Sequence, residues 1–185
     1  MNRRDALRGI SLLMGSAITP TVAHAVLAGY RAPMPGQAAR TLTTRQSELV
    51  ATLTELIIPA TDTPGALGAR VDAFIDGLLT DVVTAEERTR FLAGLADVDA
   101  RARAAHDIAF LECTAQQQVA ILARLEMDAE RAGEDPRPFF SWLKELTLVG
   151  YYTSEIGASQ ELSYVHVAGD YDGNLPYEKV GRAYS

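Results

Sequence analysis

The chain has 185 residues, of which 48% are hydrophobic, and its 17 Lys and Arg residues against 24 Asp and Glu residues give a formal net charge of −7 at pH 7. This length favours one domain with a sizeable core. The acidic balance argues against nucleic acid or anionic lipid as a partner, since both are bound through concentrated Lys and Arg. Three histidines and one cysteine cannot supply a clustered metal site or the ligands of an iron–sulfur cluster, and no glycine-rich nucleotide-binding motif is present.

The first 25 residues have the three parts of an export signal in the expected order. Two adjacent arginines precede an apolar segment over residues 10–18, and an Ala-x-Ala pattern typical of a cleavage site follows. That segment is much shorter than the roughly 20 residues that span a bilayer, so a permanent anchor is not predicted. The pattern predicts a twin-arginine signal over residues 1–25 and a periplasmic location. The residues that carry the signal are Arg3, Arg4, Ala23 and Ala25.

Residues 26–42 contain Gly and Pro among small residues and are predicted to form an irregular leader. Within residues 43–150, five stretches place apolar side chains at helical spacing. Three of them begin with a capping-box pattern, a Thr followed three residues later by Gln or Glu. Five amphipathic helices with short connections predict an all-α bundle. The predicted helices begin and end near Thr43 and Pro59, Ala69 and Val83, Thr84 and Ala105, Thr114 and Gly133, and Pro136 and Gly150.

Residues 151–185 lose the helical spacing and hold six of the seven tyrosines of the chain. A long non-helical segment rich in aromatic residues needs a surface to lie on. Tyr is enriched at interfaces because its ring is buried while its hydroxyl stays within reach of polar groups. Two alternatives stay open: the segment packs on its own bundle, or it extends to dock on another protein. The candidate partner-binding residues are Tyr151, Tyr152, Tyr164, Tyr171, Tyr177 and Tyr184.

Cys113 is the only cysteine, so in an oxidising compartment it is either buried and inert or bonded to a second chain. Burial is favoured because a free cysteine packs like a small apolar residue, and an intermolecular disulfide is the other alternative. His106 and His166 are isolated in the sequence and are interpreted as structural. The carboxylates are interpreted as solvated, and on the second helix Asp72 and Asp76 are predicted to lie opposite the apolar face.

Two separated parts of the sequence resemble the small, or gamma, subunit of membrane-bound gluconate 2-dehydrogenase and related periplasmic sugar dehydrogenases, a family called gluconate 2-dehydrogenase subunit 3. One part is LIIPATDTPGA at residues 56–66. The other is GYYTSEIG at residues 150–157, followed by YDG at residues 171–173 and VGRA at residues 180–183. Together with the export signal, these parts extend over most of the chain.

The resemblance implies a non-catalytic accessory subunit without a cofactor of its own. Its partner would be a large flavoprotein of the glucose-methanol-choline oxidoreductase type that binds FAD, with an iron–sulfur cluster as a further option. Electrons would pass to a cytochrome c subunit that carries haem c. The small subunit would present its signal to the twin-arginine translocase, escort and stabilise the folded flavoprotein, and associate with the membrane through the complex.

The sequence departs from the family pattern in places. Asn174 follows the YDG turn where the family often has a cysteine, so a disulfide at that position is not carried over to this chain. Asn2 and Asp5 flank the arginine pair in place of more usual residues. Two other interpretations stay open: a stand-alone periplasmic helical enzyme or ligand-binding protein with a pocket between helices, and a homo-oligomer joined by the tyrosine-rich segment.

Overall fold

The structure, a computed structural model, describes residues 41–132 and 136–162. A 3-10 turn (Phe110–Glu112) separates the third and fourth helices, and a π-helical turn (Gly157–Glu161) follows the fifth. The all-α fold class is confirmed for these residues, and each helix begins and ends within three residues of its predicted bounds. The five helices are α1 (Thr44–Ile57), α2 (Val71–Asp81), α3 (Ala85–His106), α4 (Ala115–Ala132) and α5 (Phe139–Tyr152).

Reciprocal side-chain hydrogen bonds mark the starts of α1, α3 and α4. At α1, the Thr43 hydroxyl accepts from the Gln46 N–H at 3.3 Å, and the Gln46 side chain accepts from the Thr43 N–H at 3.0 Å. These bonds satisfy backbone donors that have no partner within the helix. All three predicted capping boxes are therefore confirmed. The other two pairs are Thr84 with Glu87 and Thr114 with Gln117.

Helix α5 lies at the centre of the bundle and contacts each of the other four helices. Nine of its 14 residues are buried, which is typical of a helix that is apolar on nearly all sides. Phe91 of α3 packs edge-on against Phe139 and Trp142 of α5, with ring centroids 5.2 and 5.3 Å apart. The core is therefore organised around α5 rather than shared equally among five amphipathic helices.

The sequence predicts that the fifth helix ends near Gly150. In the structure, α5 continues two residues further, to Tyr152. A Cβ atom at Gly150 would lie 2.7 Å from a ring carbon of Phe74 and 3.2 Å from a methyl carbon of Val71. The absence of a side chain therefore allows α2 to pack closely on α5. The predicted boundary between bundle and carboxyl-terminal segment falls inside this helix.

The prediction that Asp76 faces solvent is wrong. Asp76 is 6% exposed, and its carboxylate accepts the backbone N–H groups of Thr41 and Leu42 at 3.0 and 2.8 Å. Buried backbone donors need acceptors, so Asp76 fastens the chain that enters α1 onto α2. Leu42, which falls inside the predicted leader, is itself buried.

Candidate functional site

The motifs at residues 56–66 and 150–157, the portions of the family resemblance that the structure describes, meet at one end of the bundle. The first lies mainly in the α1–α2 loop, residues 58–70, and the second leads into the C-terminal turn, residues 153–162, which follows α5. Hydrogen bonds join the loop both to α5 and to the turn. We call the surface that these two segments form the end surface, and it is the candidate functional site.

Glu55, in the last turn of α1, holds the α1–α2 loop closed. One carboxylate oxygen accepts the N–H of Ala60 at 2.9 Å, and the other accepts the N–H of Leu67 at 2.8 Å. A Cβ atom at Gly65 would lie 2.5 Å from both the Ala60 nitrogen and a Glu55 carboxylate oxygen. The compact loop therefore depends on this carboxylate and on the small residue at position 65.

The loop is also fastened to the carboxyl-terminal half of the chain. The Tyr151 hydroxyl donates to the Pro64 carbonyl at 2.8 Å, and the Thr63 hydroxyl donates to the Glu161 carboxylate at 2.7 Å. Tyr151 is 1% exposed, and its ring meets that of Tyr152 edge-on at 5.3 Å. These contacts connect residues that are 87 and 98 positions apart in the chain, so the loop and the turn form one surface.

The C-terminal turn closes tightly on the end of α5. The Ser154 hydroxyl donates to the Tyr151 carbonyl at 2.6 Å and accepts the N–H of Gly157 at 3.0 Å. A Cβ atom at Gly157 would lie 2.1 Å from the Tyr151 carbonyl oxygen. Because this oxygen belongs to the backbone and cannot move aside like a flexible side chain, only glycine fits this position without opening the turn.

The end surface presents one large exposed apolar side chain, and its two segments together carry more acidic than basic residues. Leu67 is 55% exposed, and its neighbours Pro59, Ala60 and Gly68 are exposed as well. Three carboxylates belong to the two segments, together with one cation, Arg70. Burial, and to a smaller degree Glu161 and Tyr151, raises the pKa of the Tyr152 hydroxyl, which keeps it protonated. The three carboxylates are those of Asp62, Glu155 and Glu161.

A family model described as gluconate 2-dehydrogenase subunit 3 matches residues 44–169. The chain belongs to this family. The match begins at the first residue of α1 and includes both segments of the end surface, so the resemblance inferred from the sequence is confirmed. A search of curated proteins and a search of solved structures each found no match.

Of the tyrosines predicted to bind a partner, the structure describes two. Tyr151 packs into the bundle's own core, which corrects its assignment as a docking residue, and Tyr152 is half-buried beside it. Both lie in α5 rather than in a non-helical extension. The remaining partner-binding candidates and the export-signal residues lie outside the described ranges. They are Tyr164, Tyr171, Tyr177, Tyr184, Arg3, Arg4, Ala23 and Ala25.

Glu55 supports the loop of the end surface and Glu161 belongs to its turn, and neither residue is predicted from the sequence to have such a role. Glu55 belongs to the apolar stretch that ends α1, where a carboxylate beside a Pro- and Gly-rich loop is a capping signal for the loop's N–H groups. No local sequence signal marks Glu161, because its partner Thr63 is distant in sequence. Only the tertiary fold brings that pair together.

The described part of the chain gives no arrangement for metal binding or for crossing a membrane. Within residues 41–132 and 136–162, no three His, Cys, Asp or Glu side chains are grouped to hold a metal ion. No helix in these ranges is long and apolar enough to span a bilayer. His106 is the last residue of α3 and partly exposed, while His166 lies outside these ranges.

Cys113 follows the 3-10 turn and is 8% exposed. Its thiol donates to the Ala109 carbonyl at 3.5 Å, and burial, assisted by Glu112 and Asp99, raises the pKa of the Cys113 thiol. Cys113 is therefore buried, which is the alternative that the sequence favours. A disulfide to a second chain would require the sulfur to leave this position.

We expect the Cys113 thiol of the folded protein to react much more slowly with a disulfide reagent than the same thiol in urea. The thiolate is the reactive form, and both burial and a raised pKa reduce its availability. Absorbance from the released thiol measures the rate, and the single cysteine makes the signal unambiguous. Equal rates in the folded and unfolded protein would show that Cys113 is accessible.

Proposed function

We propose that this chain is the non-catalytic small subunit of an FAD-dependent sugar or gluconate dehydrogenase complex in the periplasm. As a member of the gluconate 2-dehydrogenase subunit 3 family, it belongs with the subunits of a dehydrogenase complex. In the proposal, a large flavoprotein of the glucose-methanol-choline type holds the FAD and oxidises the substrate. A cytochrome c subunit receives the electrons.

The small subunit would also supply the export signal for the flavoprotein. The paired arginines Arg3 and Arg4 are typical of the twin-arginine route, which transports folded proteins. A flavoprotein that must bind FAD before export could therefore travel with the signal of a second chain. The observation that carries the proposal is the family match over residues 44–169. The end surface supports it, because it is a rigid, partly apolar surface of the kind that proteins use to bind one another.

A stand-alone ligand-binding protein or enzyme, the second interpretation from the sequence, would need a pocket between helices. The structure has a cavity of about 210 Å³ between α3 and α4. Small-molecule sites typically occupy about 300–1,000 Å³, so this cavity does not favour that interpretation. Its lining residues are Arg101, Ala104, Ala105, Ile121 and Arg124.

We expect that changing Arg3 and Arg4 together to lysine leaves the dehydrogenase in the cytoplasm. The change keeps the positive charge, so a loss of export reports recognition of the arginine pair rather than charge alone. Sugar-dependent dye reduction in periplasmic and cytoplasmic fractions of the native host measures the result. Arg8→Lys, a change of the same kind outside the pair, serves as the control and should leave export intact. Unchanged periplasmic activity in the double variant would contradict the proposed function.

A further inference from the structure

We propose that the end surface is where this chain binds the flavoprotein large subunit, with Leu67 as the anchoring side chain. This inference rests on the proposed function and adds to it the surface of contact and the chemistry of the partner's complementary surface. The partner surface would offer an apolar pocket for Leu67, surrounded by Lys and Arg side chains.

Exposure alone does not identify the site. Within residues 41–132 and 136–162, three large apolar side chains are exposed: Leu67 at 55%, Val119 at 53% and Met127 at 48%. Single exposed apolar residues are common on protein surfaces. What distinguishes Leu67 is its setting, because Val119 and Met127 lie on the outer side of the regular helix α4, whereas Leu67 lies in a loop that several side chains hold in place.

The loop presents Leu67 in a fixed position. The backbone N–H of Leu67 donates to Glu55, and the preceding residue, Ala66, donates its N–H to the Ile58 carbonyl at 2.9 Å. The bond from Tyr151 to Pro64 fixes the middle of the same loop. Because these bonds already exist in the free chain, little conformational entropy remains to be lost on binding. A preorganised apolar side chain is the kind that anchors an interface.

The path of the chain after α5 also points to the end surface. The described residues end at Leu162, within the C-terminal turn of the end surface. Residues 163–185 continue from there, and the family match extends into them as far as residue 169. A protein bound at the end surface therefore lies beside Leu162, at which the described part of the chain ends.

The charge of the end surface predicts the charge of the surface that binds it. Asp62, Glu155 and Glu161 carry its negative charge, and Arg70 is the one cationic residue in the two segments. Charges of opposite sign around an interface steer association and exclude partners of like charge. A complementary surface on the flavoprotein is therefore rich in Lys and Arg around an apolar pocket, and binding should weaken as ionic strength rises.

The test compares Leu67→Asp with Val119→Asp in the full chain, affinity-tagged and produced in its native host. Each variant places a carboxylate at a position of nearly equal exposure, so both carry the same change of net charge. The measured quantity is the FAD absorbance that co-purifies per chain. Sugar-dependent dye reduction by the purified complex confirms that the flavin belongs to the dehydrogenase.

We expect Leu67→Asp to weaken the complex by about thirtyfold or more, equivalent to about 2 kcal/mol, and Val119→Asp to leave it unchanged. Leu67→Ala should also weaken the complex, by a smaller factor. If the aspartate variant does not fold, the alanine variant decides the test. Thermal melting of each isolated variant shows whether the bundle is intact.

The remaining outcomes separate the two proposals. A wild-type chain that brings down no FAD-containing dehydrogenase would overturn the proposed function. If the wild-type chain binds the dehydrogenase and both Leu67 variants bind it equally well, the end surface is the wrong interface while the proposed function stands. A loss of binding in Val119→Asp but not in the Leu67 variants would place the interface on α4.

Discussion

Replacing Arg137 by alanine is expected to lower the free energy of unfolding by about 3 kcal/mol. Glu145, in the centre of α5, is 1% exposed, and the Arg137 guanidinium donates to its carboxylate. Breaking a buried ion pair by removing one partner typically costs about 3–5 kcal/mol, because a charge stays buried without its counterion. Arg137 is 22% exposed, so water can partly replace it, which places the effect near the lower end of that range.

Urea unfolding followed by circular dichroism measures this change. Lys144→Ala is the matched control, because it removes another ion pair of the same helix, with Glu126 at 2.8 Å, whose side chains are both more than 40% exposed. That pair should contribute less than about 1 kcal/mol. Replacing Arg137 and Glu145 together by methionine and leucine should restore most of the loss, since the buried carboxylate is then removed together with the guanidinium. Equal stability of Arg137→Ala and the wild-type chain would contradict this account.

Replacing Gly157 by alanine is expected to open the C-terminal turn while the five-helix bundle stays folded. The added methyl group would lie 2.1 Å from the Tyr151 carbonyl oxygen, and a change of rotamer cannot relieve a contact between a Cβ atom and a backbone oxygen. Overpacking of this kind typically costs about 1–3 kcal/mol. Since the turn has few buried contacts of its own, it should open locally rather than unfold the whole domain.

Hydrogen exchange detects this opening. The N–H groups of Ala158 and Leu162 donate to carbonyls within the turn at 3.0 Å, and their exchange should become faster in Gly157→Ala. Amides in the middle of α5 should keep their protection. Ser159→Ala is the control, because it changes an exposed residue of the same turn and removes only a hydrogen bond to the Glu155 carbonyl. Unchanged exchange in the glycine variant would show that the turn accommodates a side chain.

The helices could be predicted from the sequence because their signals are local. A Thr with Gln or Glu three residues later, as at Thr84 and Glu87, specifies a helix start through bonds between near neighbours. The same signals work at Thr43 and Thr114, where the structure has the expected bonds. The apolar spacing then indicates which residues share a face, and the five helices follow from these two kinds of information.

The tertiary roles could not be predicted, because they depend on which elements become neighbours. Lys144 and Glu145 are adjacent in α5, yet the first is exposed and the second fully buried. Asp76 fits the polar side of an amphipathic helix by spacing, yet it is buried, and its carboxylate accepts two N–H groups of the chain that leads into α1. Spacing gives a side chain's direction, and its environment comes from the packing.

The end surface illustrates the same limit. Both of its sequence motifs were recognised, but nothing in either one indicates that Thr63 contacts Glu161 or that Tyr151 contacts Pro64. The sequence pattern also assigns Tyr151 to the docking segment, because the loss of helical spacing is predicted to begin at residue 151. Its ring belongs to the core instead, and only its hydroxyl reaches the loop.

The end surface exists only after the chain has folded, because hydrogen bonds with Tyr151 and Glu161 hold the α1–α2 loop in it. Its two segments are residues 58–70 and 153–162, so a nascent chain whose helix α5 is still inside the ribosome lacks one of them. A flavoprotein that recognises the assembled surface would ignore truncated or misfolded copies. Under the proposed export role, a check on folding would then precede transport, because only a folded small subunit could bind the flavoprotein.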